Sequence, residues 1–208
     1  MKYAQLQERD WQLLTALAQC YRLTTASRFA QQSQIAQSTA RRRLDRLTAT
    51  GFLNRLTLWV SDIPSIEAPL ATWLPGDPTP DFGAIAHAAQ VRWHDRPIRR
   101  TCAYTASSRA LALFSIAPRP HIKRHHATHD LAMADCYDYC SIRWPELEFV
   151  GEDLFVHERG HGEGVEDAQL VDGSQIVAAV EYAGAYRRER VAHFHHHVSE
   201  RDLPYYLF

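Results

Sequence analysis

The chain has 208 residues, 23 Lys and Arg against 24 Asp and Glu, and 46% apolar residues, enough for one large or two small domains with a real core. No run of about 18 apolar residues occurs, which excludes a membrane-spanning helix; the polar stretch Met1–Arg9 lacks a signal-peptide segment, so a cytoplasmic protein without membrane insertion is expected. The near-zero net charge hides an asymmetry, because residues 1–60 hold nine Lys/Arg against three Asp/Glu and residues 146–202 hold five against thirteen.

A basic front suits a polyanion. Glu8 to Cys20 has Trp11, Leu14, Leu17 and Ala18 on one face at helical spacing. Thr24-Thr25 is placed to cap a short second helix through Phe29 and Ala30. A third helix is expected from Ser38 as N-cap, with Ala40, Leu44 and Leu47 inward and Gly51 ending it. Arg42, Arg43 and Arg46 then lie on its outer side, with Arg41 at the margin. Three short helices followed by a strand from Phe52 to Val60 resemble a winged helix-turn-helix. In that fold the third helix enters the major groove, where these arginines meet phosphates or guanine edges and Ser38 and Thr39 take a phosphate. The plainer alternatives are an Arg-rich surface helix used for solubility or dimerisation, and a protein-binding module.

Prolines punctuate residues 63–100, and Pro75-Gly76-Asp77-Pro78 reads as a loop. Asp81 to Trp93 fits one helix with Phe82, Ile85, Ala89 and Trp93 inward. Arg99 to Tyr104 reads as a strand completing the wing, Thr105 to Phe114 as a helix, and Ala117-Pro118-Arg119-Pro120 as a linker. The expected division is therefore 1–117 for the DNA-binding domain, with an extended wing, and 118–208 for the second.

In the second module Arg124 to Cys140 is a helix carrying His125, His129, Ala132 and Cys136 along one side. Glu148 to His157 reads as a strand. Val165 to Gly184 reads as a hairpin turning at Asp172-Gly173, with Asp167 early on its first strand and Glu181 late on its second. Tyr186 to His197 is a helix and Leu203 to Phe208 a last strand. Acids on neighbouring strands either hold one divalent cation between them or keep a solvent-facing hairpin soluble. Cys136 and Cys140 are most simply reduced core thiols, with a zinc pair as the alternative. His125, His126 and His129 read as helix residues before they read as a metal cluster. His193-Phe194-His195 matches the His-hydrophobic-His string of HUH endonucleases, which pair histidine-held metal with a nucleophile such as Tyr182, Tyr186, Tyr205 or Tyr206. Those histidines need a strand, and this segment reads as helix, where residues i and i+2 diverge by about 200°.

The order helix, three strands, helix, strand, with Asp on the second strand and Glu on the third, is that of the PD-(D/E)xK restriction-endonuclease-like fold. Together with the winged helix, the strings H-D-L-A-M-A-D, E-D-A-Q-L and V-E-Y-A-G-A-Y-R-R-E-R resemble the replication-relaxation family, and within it the MOBC class of plasmid relaxases. The resemblance implies an α+β protein that nicks one DNA strand at a plasmid transfer origin. It implies Mg²⁺ or Mn²⁺ on Asp167 and Glu181, with Glu152 a further acid and His129 a ligand or proton carrier. Double- and single-stranded DNA, relaxosome accessory proteins and coupling proteins are the partners it implies. Tyr186 is a candidate only by its closeness in sequence to Glu181, since Tyr182 and Tyr186 read first as core packing. The family's lysine is replaced by Ala183, and Arg187 or Arg190 from the next helix are the substitutes; Glu166 stands where its proline is usual. The competing reading is a non-catalytic replication or mobilisation accessory protein or repressor.

Overall fold

A computed structural model describes residues 5–155 and 166–208. Val156, His157 and Val165, which the strand expectations included, lie outside the described residues. The described elements are α1 (Glu8–Gln19), β1 (Thr24–Thr25), α2 (Ala26–Gln32), α3 (Gln37–Ala49), β2 (Leu53–Ser61), β3 (Ala71–Trp73), α4 (Phe82–Trp93), β4 (Ile98–Ala106), α5 (Ser108–Ala112), α6 (Ala127–Arg143), β5 (Glu148–Gly151), β6 (Ala168–Asp172), β7 (Gln175–Glu181), α7 (Arg188–Ser199) and β8 (Tyr205–Leu207). The protein is thus mixed α+β with two sheets. None of its described helices is long and apolar enough to cross a membrane.

Two compact units form, Met1–Ser61 with Ile98–Ala134 and Asp62–Pro97 with Asp135–Phe208. A single division after residue 117 does not describe this packing. Residues 62–97, expected as a wing extension, pack with the second unit, because β3 pairs with β8 (Ala71↔Leu207) and α4 covers Ala179.

In the first unit α1, α2 and α3 pack with an antiparallel sheet of order β1-β4-β2. Leu14, Leu17, Leu44 and Leu47 are fully buried, whereas Trp11 is 41% exposed and meets Phe114 edge-on at 6.4 Å. The buried residues of α1 are Asp10, Leu13, Leu14, Ala16, Leu17 and Ala18, and Trp11 lies outside this set. Thr25 caps α2 as expected, accepting from Arg28 N. Ala36, not Ser38, is the N-cap of α3, so Ser38 and Thr39 lie inside its first turn. At the other end Gly51 has φ +78°, with its N–H on Thr48 O at 3.0 Å and that of Phe52 on Leu47 O at 2.9 Å. This left-handed cap is one that glycine accepts without strain.

The β2–β4 ladder runs from Leu53↔Ala106 to Ser61↔Ile98, which absorbs Thr105 and Ala106 from the predicted helix. Ser107 caps what remains, α5. The predicted linker is docked: Arg119 donates to Leu17 O at 2.8 Å and to Ala18 O, satisfying carbonyls near the C-terminal end of α1.

The second unit carries a sheet of order β3-β8-β7-β6-β5, antiparallel except for β7 with β8. Strand alternation divides β8. Tyr205 and Leu207 join Ile85, Ala89, Val191, Phe194 and Val198 from α4 and α7. Tyr206, on the opposite face, meets Trp144, just beyond the end of α6, with ring centroids 4.4 Å apart and planes tilted by 37°. Asp81 caps α4 by accepting from Gly83 N and Ala84 N. The hairpin closes through Gly173-Ser174 between Asp172 and Gln175, with Gly173 at φ +59°. Strand β5 stops at Gly151, so Glu152 opens a 3-10 turn instead of lying on the strand.

Candidate functional site: a carboxylate pair and a basic helix

Register decides where the two acids stand. Ala168 opposes Val180 across the β6–β7 ladder, and one step outward from that pair come Asp167 and Glu181. Asp167 is a bend residue just before β6 and Glu181 is the last residue of β7, so the two acids stand at the same end of the β6–β7 pair. Both charges act on the Tyr186 hydroxyl, which burial pushes up first and Glu181 and Asp167 push further. Tyr186 is therefore a protonated donor, and its hydroxyl donates to Glu181 Oε1 at 2.6 Å.

Glu181 is fully buried, and the same Oε1 accepts from Arg190 Nη2 at 3.1 Å. Burial disfavours the Arg190 charge, but Glu181 and Tyr186 outweigh it and raise its pKa. Of the two candidate substitutes for a lysine at position 183, Arg190 makes this contact, while Arg187 is the exposed N-cap of α7. Asp167 Oδ2 accepts from Tyr182 N at 2.8 Å, and Asp167 O from Glu152 N at 2.9 Å. Glu152 is thus adjacent to Asp167 through the backbone, from a turn.

Sequence reasoning missed the support around this pair. Arg92 and Trp93 of α4 both donate to Ala183 O, at 2.9 and 3.2 Å, and Gln90 donates to Tyr186 O at 2.9 Å. These bonds hold the chain where it leaves Glu181. Trp93 carried a signal as an inward residue; Arg92 and Gln90 carried none. Glu166 is also fully buried, accepting from Arg201 on both oxygens at 2.9 Å and from Gln169 at 2.6 Å, with His197 at 3.6 Å. It ties the start of β6, one residue before Asp167, to the end of α7.

His129 belongs to the first unit, where its Nδ1 lies 3.8 Å from Asp130 Oδ1. Tyr182 is fully buried against Trp93 and beneath Arg92, and its phenol is pushed up by burial. Tyr205 is buried and pushed up to about 12 by that burial, with its hydroxyl 3.2 Å from His195 Nδ1. His193 and His195 lie on α7, one exposed and one buried, which removes the paired-histidine arrangement. Cys136 and Cys140 are free buried thiols, both raised by burial, Cys140 to about 12. Among the described residues no group of three or more His, Cys, Asp or Glu is gathered to hold a metal. Asp167 and Glu181 still offer hard oxygen donors, and magnesium-like ions bind through one or two carboxylates while keeping water; by donor chemistry the pair fits such an ion.

On α3, Arg41, Arg42 and Arg46 are exposed, as is Ser38, and Thr39 is half-buried. Arg43, expected beside them, turns inward. Its Nε donates to Asp10 Oδ1 at 2.8 Å, and its Nη2 bonds Asp10 Oδ2 and Gln5 O, so it holds α3 to α1. The hydrogen bond to Asp10 raises its pKa. A basic concavity of about 290 Å³ between the two helices includes Arg9, Thr39, Arg42 and Arg46.

No protein-family model, no curated protein and no solved structure matches this chain.

Proposed function

We propose that the chain is a DNA-binding, metal-dependent strand-nicking endonuclease of the plasmid-relaxase kind, acting at a transfer origin. The observation that carries this reading is the placing of Asp167 and Glu181 at the same end of the β6–β7 pair, with Arg190 arriving from the next helix where position 183 has only alanine. The succession α6, β5, β6, β7, α7, β8, with β8 parallel to β7, supports a PD-(D/E)xK-like second unit. The order α1, β1, α2, α3, β2, β4, with its β1-β4-β2 sheet, supports a winged helix-turn-helix in the first.

In this reading α3 docks on duplex DNA through Arg41, Arg42 and Arg46. Asp167 and Glu181 would hold Mg²⁺ or Mn²⁺, which supplies a water of lowered pKa and charge stabilisation for the leaving oxygen. Tyr186 and Arg190 fix the Glu181 carboxylate in one orientation by sharing its Oε1. Arg190, part-exposed, also presents a cation to a phosphate, partly offsetting repulsion between the acidic segment and the DNA backbone.

One observation favours a second reading. An arginine and a phenol already satisfy Glu181 Oε1, as in a nuclease-like domain retained as a binding module. The protein would then be a replication or mobilisation accessory protein or repressor. Supercoiled plasmid carrying the cognate origin separates the two. Relaxed circles with Mn²⁺, absent with EDTA and absent with Asp167→Ala, are the outcome expected of the nicking enzyme. Intact but shifted DNA in every lane would leave only the binder.

A further inference from the structure

A second basic concavity lies in the first unit, away from the exposed arginines of α3. Its volume is about 460 Å³, and β2, the end of β4, part of α5, Arg22 and the segment 119–124 wall it. That volume is in the range of small-molecule sites.

Three features of its lining point to one ligand chemistry. Arg22, His121 and Arg124 stand on it together with Arg119, and none of its described lining residues is acidic. Such a rim suits a phosphate, which takes charge-assisted hydrogen bonds from guanidinium groups and a further hydrogen bond from an imidazole N–H. Leu58, Leu111 and Ile122 line it as well, giving a flat apolar body somewhere to lie. Finally, Asn54, Leu56 and Leu58 alternate along β2, and Thr105 of β4 pairs with Asn54, so one face of this sheet forms part of the pocket wall. The Asn54 amide and the Thr105 hydroxyl on that wall can read the hydrogen-bonding edge of a base. The wall opposite β2 is anchored, because Arg119 is bonded to Leu17 O and Ala18 O at the end of α1.

We propose that this pocket binds a nucleotide: phosphate on His121, Arg124 and Arg22, and base against Leu58, Leu111 and Ile122. The source is either a free mononucleotide or the unpaired 5′-phosphorylated end of a DNA strand, and the chemistry is common to both. The pocket uses neither Asp167 nor Glu181 and needs no metal, so it stands or falls apart from the nicking reaction.

The full chain is titrated calorimetrically in EDTA with deoxyadenosine 5′-monophosphate, deoxyadenosine, inorganic phosphate, and a tetradeoxyadenylate with and without its 5′-phosphate. The monophosphate, the 5′-phosphorylated tetramer, or both should bind about tenfold or more tightly than deoxyadenosine or phosphate, since each of those lacks one of the two contacts. Preference for the monophosphate identifies a free effector; preference for the phosphorylated tetramer identifies a strand end. Arg124→Gln combined with His121→Gln should weaken that binding about tenfold. Both side chains are exposed, so the thermal midpoint should hold. Ile122→Glu, which places a carboxylate in the pocket, should weaken it without touching the phosphate ligands. Arg46→Ala should leave nucleotide binding unchanged while lowering affinity for duplex DNA. Inorganic phosphate binding as tightly as the nucleotide, nucleotide binding indifferent to the double variant, or no nucleotide binding at millimolar concentration would each overturn the assignment.

Discussion

In the first unit Asp10 is fully buried and Arg43 closes on it from α3 with its side chain only 12% exposed; in the second, Glu181 is as deeply buried, but Arg190 keeps 41% of its side chain exposed. Arg43 bonds both carboxylate oxygens, and Gln7 N donates to the same Asp10 at 2.6 Å, so that acid is enclosed by its own unit. Arg190 and Tyr186 share a single oxygen of Glu181. The first arrangement is a helix-to-helix clamp. The second brings a cation with one side in water up to an acid with none, the arrangement a site needs if a phosphate is to arrive. Arginine near a buried carboxylate therefore has no single meaning, and exposure separates its two uses.

The comparison can be tested by removing each charge while keeping volume. Asp10→Asn should cost about 3 kcal/mol in urea unfolding, because it leaves Arg43 unpaired in a closed setting. Glu181→Gln should cost less, about 1–2 kcal/mol, since water screens Arg190 and the amide can still accept from Tyr186. Equal losses would make Glu181–Arg190 a second structural clamp and remove its special standing.

A third buried acid sharpens the contrast. Burial would push Glu166 up, but hydrogen bonds from Gln169 and Arg201 outweigh it and hold the carboxyl below its ordinary 4.5. A lowered folded pKa means stability that is present above the ordinary carboxylate range and is lost as pH falls through the lowered value. Glu166→Gln should cost about 2 kcal/mol near neutrality and flatten the acid limb below about pH 4.5. An unchanged acid limb would show that the Arg201 pair does not couple folding to pH.

The smallest effects belong to the exposed arginines. Arg42→Ala and Arg46→Ala should each lower the salt dependence of DNA binding by about one unit of slope per lost phosphate contact, with little change in stability. Arg43→Met should do the reverse, lowering stability and sparing the slope. An unchanged slope for Arg42→Ala and Arg46→Ala would take α3 out of the DNA interface.

Much of the fold was legible because it is local. Helical spacing located α1, α3 and α4, Gly51 marked a left-handed cap, and Asp172-Gly173 marked the hairpin turn. That Asp167 and Glu181 come at the same end of β6 and β7 follows from the short hairpin between them. Arg43 was misread because its partner, Asp10, is 33 positions away and nothing in the α3 pattern points to it. Glu152 was misread because β5 stops at Gly151, one residue before it.

Spacing along the chain is sufficient wherever a helix or a hairpin is held by its own neighbours, since backbone geometry converts periodicity directly into a face. It is silent on long-range pairing. That residues 62–97 add an edge strand and a helix to the second unit, that α4 bonds the chain leaving Glu181, and that Arg190 rather than Arg187 reaches the acid are settled by packing. The physical reason is that such contacts depend on which apolar faces find each other across many residues, and no local preference encodes the partner.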